Sequence, residues 1–185
     1  MNTEEFIRKH REQDVRDLAF VASRYPEVDT AFALDQIRGW QVAVRKLPSW
    51  ACTDGLLYPP HLSMEQCSSE QTAAYKSALA ARLLSEGTRT DQESVFVDLT
   101  GGFGVDFSFL ASSLGMRSVY VERNRQLCDL ATHNLPLLGL PDAEVVCADS
   151  VAYASSMPFA SVVYLDPARR DSHGSRTYGI EDCTP

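Results

Sequence analysis

Apolar residues in the first half of the chain recur at helical spacing. From Thr3 to about Ser23 they are interleaved with charged residues as far as Tyr25-Pro26, which predicts one surface helix ending before that proline. A second helix is predicted up to Pro48, because apolar residues recur there at alternating four- and three-residue steps: Ala33, Ile37, Trp40, Val44 and Leu47. That apolar stripe must pack against another element.

A third helix is predicted after an irregular connector. Prolines and a glycine between Leu47 and Pro60 indicate the connector. Ser68, followed three residues later by Gln71, has the spacing of a capping box and predicts the start of the helix. The helix continues through apolar positions towards Gly87, a residue type common at helix ends: Tyr75, Leu79 and Leu83.

From Ser94 the pattern changes to short β-branched or aromatic runs that alternate with helical stretches. Four strands are predicted, at Val95–Leu99, Ser118–Glu122, Glu144–Cys147 and Ser161–Leu165. Helices are predicted between them, at about Val105–Leu114, about Asn124–Leu138 and, shorter, near Val151. Such alternation is typical of an α/β fold, here a Rossmann-like parallel sheet with flanking helices preceded by a small helical domain. We expect residues 1–60 to form the helical unit with its connector, and residues 61–185 to form the Rossmann-like domain, truncated after the fourth strand.

Composition narrows the function classes. Hydrophobic residues make up 44% and charged residues 23% of the chain, as in ordinary soluble proteins. No apolar run approaches the roughly 20 residues of a membrane helix, and the polar start is unlike a secretory signal, so we expect a cytoplasmic protein without a membrane partner. The five cysteines and four histidines lack disulfide or metal-ligand spacing, so we expect no metal. A net charge of −8 disfavours nucleic-acid binding unless basic residues are segregated.

Acidic residues end all four predicted strands. The first strand runs through Asp98 into a glycine-rich loop, Thr100–Asp106, and then into a helix. Such a loop lets backbone approach a ligand at the carboxyl edge of a sheet, although it also serves simply as a tight connection. Glu122, Asp149 and Asp166 follow the next three strands, and Glu122 is placed where a carboxylate can accept hydrogen bonds from ribose hydroxyls.

This ordered set, over about Ser94–Asp171, resembles the class I S-adenosylmethionine-dependent methyltransferases. The resemblance implies S-adenosyl-L-methionine as cofactor, with its methionine part held by the first motif, Asp98, Gly101, Gly102 and Gly104. It implies ribose binding by Glu122, adenine recognition by Asp149 beside Ala148, and a reaction centre at Asp166-Pro167. The full predicted cofactor-binding set is Asp98, Thr100, Gly101, Gly102, Phe103, Gly104, Asp106, Glu122, Arg123, Ala148, Asp149, Ser150, Ser68 and Ser69.

A closer resemblance includes Leu62–Glu70 and Asp166–Asp171. These segments are similar to a bacterial methyltransferase family that carries a C-terminal THUMP-like domain, which implies an RNA-related substrate. Thr100, where many members have glycine, looks like the nucleic-acid-modifying branches. A more distant resemblance to trimethylguanosine synthases implies methylation of a base nitrogen.

The fourth motif departs from the pattern of the amine-methylating relatives. Ala168 and Arg169 stand where those relatives usually have a second proline and a base-stacking aromatic. Arg169 and Arg170 are candidate substrate-binding residues, because guanidinium groups suit phosphates and carboxylates; they are equally compatible with solvated residues or partners of Asp171.

The sequence leaves the roles of several site residues open. Asp166, with the Pro167 carbonyl, is expected to orient a nucleophilic nitrogen of the substrate. Ser68 and Ser69 either reach the cofactor from a helix N-terminus or only cap that helix. Phe103 either packs on the cofactor or fills the core.

Two other functions compete with a methyltransferase. A nicotinamide-dependent oxidoreductase is disfavoured, because Gly101, Gly102 and Gly104 are followed by Asp106 rather than by the third glycine of G-x-G-x-x-G. A non-catalytic module that binds the cofactor or RNA is harder to exclude, since the family's sheet normally has further strands. Without them the fourth strand would present an open edge, and self-association through that edge is expected.

Overall fold

The computed structural model describes residues 1–22, 24–87, 94–157 and 159–167. The chain divides into two compact units, Met1–Thr72 and Ala73–Pro185. Helices within the described residues are all too short or too polar to cross a membrane. The chain has a mixed α/β fold, with helices in the first unit and a parallel sheet flanked by helices in the second.

The first unit is helical. Its helices are α1 (Thr3–His10), α2 (Val15–Ala22), α3 (Thr30–Lys46), α4 (Pro48–Ala51) and α5 (His61–Gln66). The single helix predicted over Thr3–Ser23 is wrong, because the chain is interrupted between His10 and Val15. Asp14 explains the interruption: its carboxylate accepts a hydrogen bond from the Arg16 amide at 2.9 Å and so starts a new helix.

Helix α3 confirms the predicted second helix and supplies much of the core of this unit. The fully buried apolar residues at its centre are Phe6, Leu18, Ala33 and Ile37. Val44 does not belong to the buried stripe, since it is 43% exposed and Ala43 is buried in its place. The reason is a close contact between α3 and Tyr58, where a Cβ on Gly39 would lie 2.3 Å from the Tyr58 Cβ. Small residues on that face of α3 permit the approach.

Helix α6 (Glu70–Gly87) begins in the first unit and continues into the second. Ser69, rather than Ser68, caps it: the Ser69 hydroxyl accepts a hydrogen bond from the Thr72 amide at 3.2 Å. The predicted capping box of Ser68 and Gln71 is therefore wrong by one residue, because the cap oxygen must reach the third amide of the helix. The helix itself is confirmed over Glu70–Gly87, where the described residues stop.

The second unit is built on four parallel strands in the order β3-β2-β1-β4. The strands are β1 (Val95–Asp98), β2 (Arg117–Glu122), β3 (Glu144–Cys147) and β4 (Val162–Tyr164), which confirms all four predictions. Three helices connect them, as predicted: α7 (Val105–Leu114), α8 (Arg125–Leu137) and α9 (Ser150–Ser156). Because the strands are parallel, all four carboxyl ends lie at one edge, where the acidic residues follow.

Alternate residues of the strands pack on opposite faces of the sheet. On one face Phe96 and Tyr120 join Phe107 of α7 and Leu135 of α8 in a buried cluster. On the other face Val97, Leu99, Val119 and Val121 form a second cluster, with Tyr153 of α9 against it. This two-sided burial fixes the register of the strands, because a one-residue slip would exchange the two faces.

Candidate functional site

The glycine-rich loop leaves β1 and turns sharply into α7. The Gly101 amide donates to the Val121 carbonyl at 2.9 Å, and the Gly104 amide donates to the Gly101 carbonyl at 2.8 Å. Gly102 and Gly104 have φ angles of 54° and 85°, a left-handed conformation that side chains other than glycine rarely adopt. The loop thus lies against the carboxyl end of β2.

Tyr120 supports the loop from inside the sheet. A Cβ on Gly101 would lie 2.2 Å from Tyr120 Cε2, so only glycine fits at this position. The Tyr120 hydroxyl donates a hydrogen bond to the Gly102 carbonyl, and the Tyr120 ring packs edge-on against Phe107. The loop therefore rests on a buried aromatic ring that holds its backbone in place.

Glu122, at the end of β2, is joined directly to this loop. One carboxylate oxygen accepts a hydrogen bond from the Gly102 amide at 2.9 Å, and the other accepts one from the Asn124 amide at 2.8 Å. Two predicted site residues that are 20 positions apart are thereby in contact. Arg123, the next residue, is exposed to solvent.

Asp98 is the buried acid of the site, with 1% of its surface exposed. Its carboxylate accepts hydrogen bonds from the Thr100 amide at 2.8 Å and from the Thr100 hydroxyl at 3.4 Å. Burial raises the pKa of Asp98 to about 7, and the negative charges of Asp106 and Glu122 act in the same direction. The site therefore holds a carboxyl group that changes its charge near neutral pH.

Asp98 makes folding stability depend on pH. Its pKa is about 7 in the folded chain against an ordinary value of 3.8, so between about pH 4 and pH 7 the folded state retains a proton that the unfolded state has lost. Stability from this group is present below pH 4 and is lost as the pH rises through 7.

Asp98→Asn cannot titrate and can still accept from Thr100. We expect its melting temperature to rise relative to wild type from pH 4 to pH 7 and to level off above. A melting-temperature difference between Asp98→Asn and the wild type that stays constant over this pH range would contradict the assignment.

Asp166 lies at the end of β4, beside the first loop. Its amide donates to the Thr100 hydroxyl at 2.8 Å, so Thr100 links the residues after β1 with those after β4. The Asp166 side chain is 51% exposed, and Pro167 next to it is half-buried. The predicted reaction-centre pair therefore stands at the same sheet edge as the glycine loop.

Lys76 of α6 forms a cluster with residues at this edge of the sheet. The Lys76 ammonium group lies 2.9 Å from Asp106, 2.6 Å from the Tyr164 hydroxyl and 3.3 Å from Asp166. Burial alone would lower the pKa of Lys76, but its hydrogen bonds to Tyr164 and Asp106 raise it above the ordinary value, so the ammonium group is charged. Burial is also the largest cause that raises the pKa of Tyr164, so that hydroxyl remains neutral.

Asp106 and Asp166 are predicted from the sequence as site residues, whereas Lys76 and Tyr164 are not. Tyr164 precedes Asp166 by two positions at the end of a strand, and residues spaced by two point to the same side. That spacing is a signal that could have been used. Lys76 is 90 positions from Asp166 and shares no motif with it, so nothing in the sequence indicates the contact.

Asp149 caps α9 through one carboxylate oxygen. That oxygen accepts hydrogen bonds from the amides of Val151 and Ala152 at 3.1 and 3.0 Å. The Ala148 amide donates to the Glu122 carbonyl at 3.0 Å, which places the end of β3 beside the end of β2. Asp149, the predicted adenine-recognition residue, thus lies near the end of β2, and Ser150 next to it is buried.

The remaining predicted residues divide into three groups. Phe103 is 6% exposed, which agrees with its interpretation as a residue that fills the core. Ser68 and Ser69 belong to the first unit, where the Ser69 hydroxyl caps α6. Arg169 and Arg170 lie outside the described residues. The described part of the chain contains no cluster of three or more His, Cys, Asp or Glu side chains able to hold a metal ion.

Among solved structures, this chain is similar to a candidate methyltransferase from Porphyromonas gingivalis W83, with 31% identity and a TM-score of 0.72. The match covers 98% of this chain and 42% of that one, so the chain spans less than half the length of its relative. An rRNA methylase from Streptococcus thermophilus matches 46% of this chain and 50% of its own, at 23% identity and a TM-score of 0.36.

A SAM-dependent methyltransferase from Agrobacterium tumefaciens matches 61% of this chain and 36% of its own, at 19% identity and a TM-score of 0.44. These last two likenesses are too distant to bear on function. No protein-family model and no curated protein matches the chain. The Rossmann-like fold of the chain is thus shared, over almost its whole length, with the Porphyromonas protein.

Proposed function

We propose that this chain binds S-adenosyl-L-methionine at the carboxyl ends of β1, β2 and β3, and that it is the cofactor-binding part of a methyltransferase. One observation carries the proposal. The Glu122 carboxylate accepts a hydrogen bond from the Gly102 amide, so the predicted ribose acid and the predicted methionine loop form one cradle. The likeness to the Porphyromonas protein supports the same activity.

The residues of this cradle fit the cofactor. Among the residues that the structure describes, a Cβ on Gly102 would meet only the Thr100 carbonyl, at 3.7 Å, so the space over the loop is open on that side. Each oxygen of the Glu122 carboxylate accepts one backbone amide and retains capacity for a ribose hydroxyl. The second oxygen of Asp149 is suited to the adenine amine in the same way, since its first oxygen serves the helix cap.

The bound cofactor would supply an electrophilic methyl group. Alignment is the main task of the protein in such an in-line transfer. Asp166 accepts a hydrogen bond from the attacking nitrogen of the substrate, with the Pro167 carbonyl as a second acceptor, and so directs the nitrogen lone pair. Thr100 supports this role by holding the Asp166 amide.

RNA is the proposed substrate, and a base nitrogen is the proposed methyl acceptor. The support comes from two resemblances. Thr100 in the loop resembles the nucleic-acid-modifying branches of the methyltransferases, and the Asp166–Asp171 segment resembles the family with a THUMP-like domain, which implies an RNA-related substrate. The same resemblance supports membership of the family with a THUMP-like domain. Arg169 and Arg170 follow Asp166 and Pro167 after one intervening residue, Ala168, and are proposed to bind RNA phosphates. Residues 61–185 form the proposed cofactor-binding domain, and the protein is proposed to be cytoplasmic.

Calorimetric titration with S-adenosylhomocysteine, with NADH as control, tests the proposal. Micromolar binding of the first and no binding of NADH would support the cofactor assignment. Binding of NADH alone would favour an oxidoreductase. Binding of S-adenosylhomocysteine without methyl transfer to any RNA would favour a non-catalytic module.

Glu122→Ala is expected to weaken S-adenosylhomocysteine binding by about 1–3 kcal/mol, since a partly buried acceptor of the ribose hydroxyls is lost. Calorimetry on the variant measures the change directly. Glu144→Ala is the matched control, because Glu144 also lies on a strand but its carboxylate pairs with exposed Arg117. Equal affinities for the Glu122 variant and the wild type would contradict the ribose assignment.

A further inference from the structure

The Asp166 carboxylate belongs to a cluster with Lys76, Asp106 and Tyr164. This cluster contains more hydrogen-bonding partners than an acid at a strand end needs. Lys76 lies on α6, which precedes the sheet and carries none of the strand-end residues. Its side chain is 27% exposed and that of Asp106 is 15% exposed, so this ion pair is largely shielded from water. An exposed ion pair contributes little to stability. A shielded pair with several hydrogen bonds, in contrast, holds its partners in a defined geometry.

Asp166 is held at two points. Its amide is bound by the Thr100 hydroxyl, and its carboxylate lies 3.3 Å from the Lys76 ammonium group and 3.4 Å from the Tyr164 hydroxyl. The contact between the Asp166 amide and Thr100 fixes the position of the Asp166 backbone. The two side-chain contacts fix the direction of the carboxylate, which is otherwise half exposed and free to rotate.

Tyr164 connects the two carboxylates. Its hydroxyl accepts from Lys76 at 2.6 Å and has one proton to donate, either to Asp106 at 3.2 Å or to Asp166 at 3.4 Å. Asp106 in turn anchors Lys76 from the first turn of α7. Lys76 is therefore fixed by a shielded partner and extends towards Asp166.

We propose that Lys76 is a positioning residue for methyl transfer, which orients the Asp166 carboxylate towards the substrate nitrogen. The inference rests on the proposed function of Asp166. Lys76 itself contacts neither cofactor nor substrate in this proposal. Its loss should therefore lower the turnover rate without changing the affinity for the cofactor.

The rate experiment compares Lys76→Met, Lys76→Arg and Arg82→Met, the last an exposed cation on the same helix. Methyl transfer from tritiated S-adenosylmethionine to total bacterial RNA is measured at saturating cofactor, together with S-adenosylhomocysteine affinity and melting temperature. We expect Lys76→Met to lower the rate at least about tenfold, because misalignment of a catalytic group is costly. The affinity should stay within about twofold, and Lys76→Arg should recover part of the rate. A wild-type rate for folded Lys76→Met, or equal losses of rate and affinity, would overturn the proposal.

A spectroscopic experiment tests the orienting contact without any methyl acceptor. The Lys76 ammonium resonance is assigned from its absence in Lys76→Arg, and its nitrogen shift is compared in Asp166→Asn and Asp129→Asn. We expect a shift change in Asp166→Asn alone, and an unchanged resonance in that variant would overturn the proposal. Failure of the wild-type protein to bind S-adenosylhomocysteine would contradict the proposed function and leave the resonance result standing, so the two failures can be told apart.

Discussion

Asp166→Ala is expected to reduce methyl transfer at least about 100-fold, the cost typical of removing one preorganised hydrogen-bonding group from a reaction centre. The Asp166 carboxylate lies at the end of β4, within hydrogen-bonding distance of Lys76 and Tyr164. Affinity for S-adenosylhomocysteine should be nearly unchanged, since the glycine-rich loop and Glu122 are untouched. Transfer of a tritiated methyl group to bacterial RNA, set beside calorimetry of the same variant, measures both quantities.

Asp129→Ala provides the control for this experiment. Asp129 is an exposed aspartate of α8 that pairs with Arg125 one helical turn away. Its rate should match that of the wild type. Turnover by Asp166→Ala at the rate of Asp129→Ala would remove Asp166 from the reaction centre, and a parallel loss of cofactor affinity would make it a binding residue instead.

Gly101→Ala is expected to abolish S-adenosylhomocysteine binding and to destabilise the domain by about 1–3 kcal/mol or more, as overpacked cores do. The added Cβ would lie 2.2 Å from a ring carbon of Tyr120, which is fully buried and cannot move aside. The loop must therefore shift, and the Gly102 amide would leave Glu122. Thermal unfolding and calorimetry report the two effects separately.

Two further variants test the cause of that effect. In a Tyr120→Leu background the ring is absent, so Gly101→Ala should cost less stability than it does in the wild type. Gly115→Ala introduces a left-handed alanine whose Cβ has no atom within 4 Å beyond its chain neighbours in the described part of the structure. It should cost about 1–2 kcal/mol while cofactor affinity is retained. An undiminished cost of Gly101→Ala in the Tyr120→Leu background would show that the ring contact is not responsible.

Local pattern was enough to predict most of the elements. Strands β1 and β2 are buried on both faces, and the β-branched runs of all four strands end at acids, so both their existence and their limits are visible in the sequence. Helix α3 was predicted for the same reason, from a stripe at helical spacing. Two errors lie where one side-chain oxygen decides a boundary: Asp14 divides the first helix, and Ser69 instead of Ser68 begins α6.

The sequence by itself determined the order of strand-end acids and the glycine loop, because parallel strands bring their carboxyl ends to one edge whatever their separation in the chain. Only the tertiary structure decided that the Gly102 amide binds Glu122, that the Tyr120 ring excludes any side chain at position 101, and that Lys76 reaches Asp166 across 90 positions. Periodicity reports which face of an element is buried. It carries no information on which residue of another element meets that face, since such contacts depend on the packing of the whole domain.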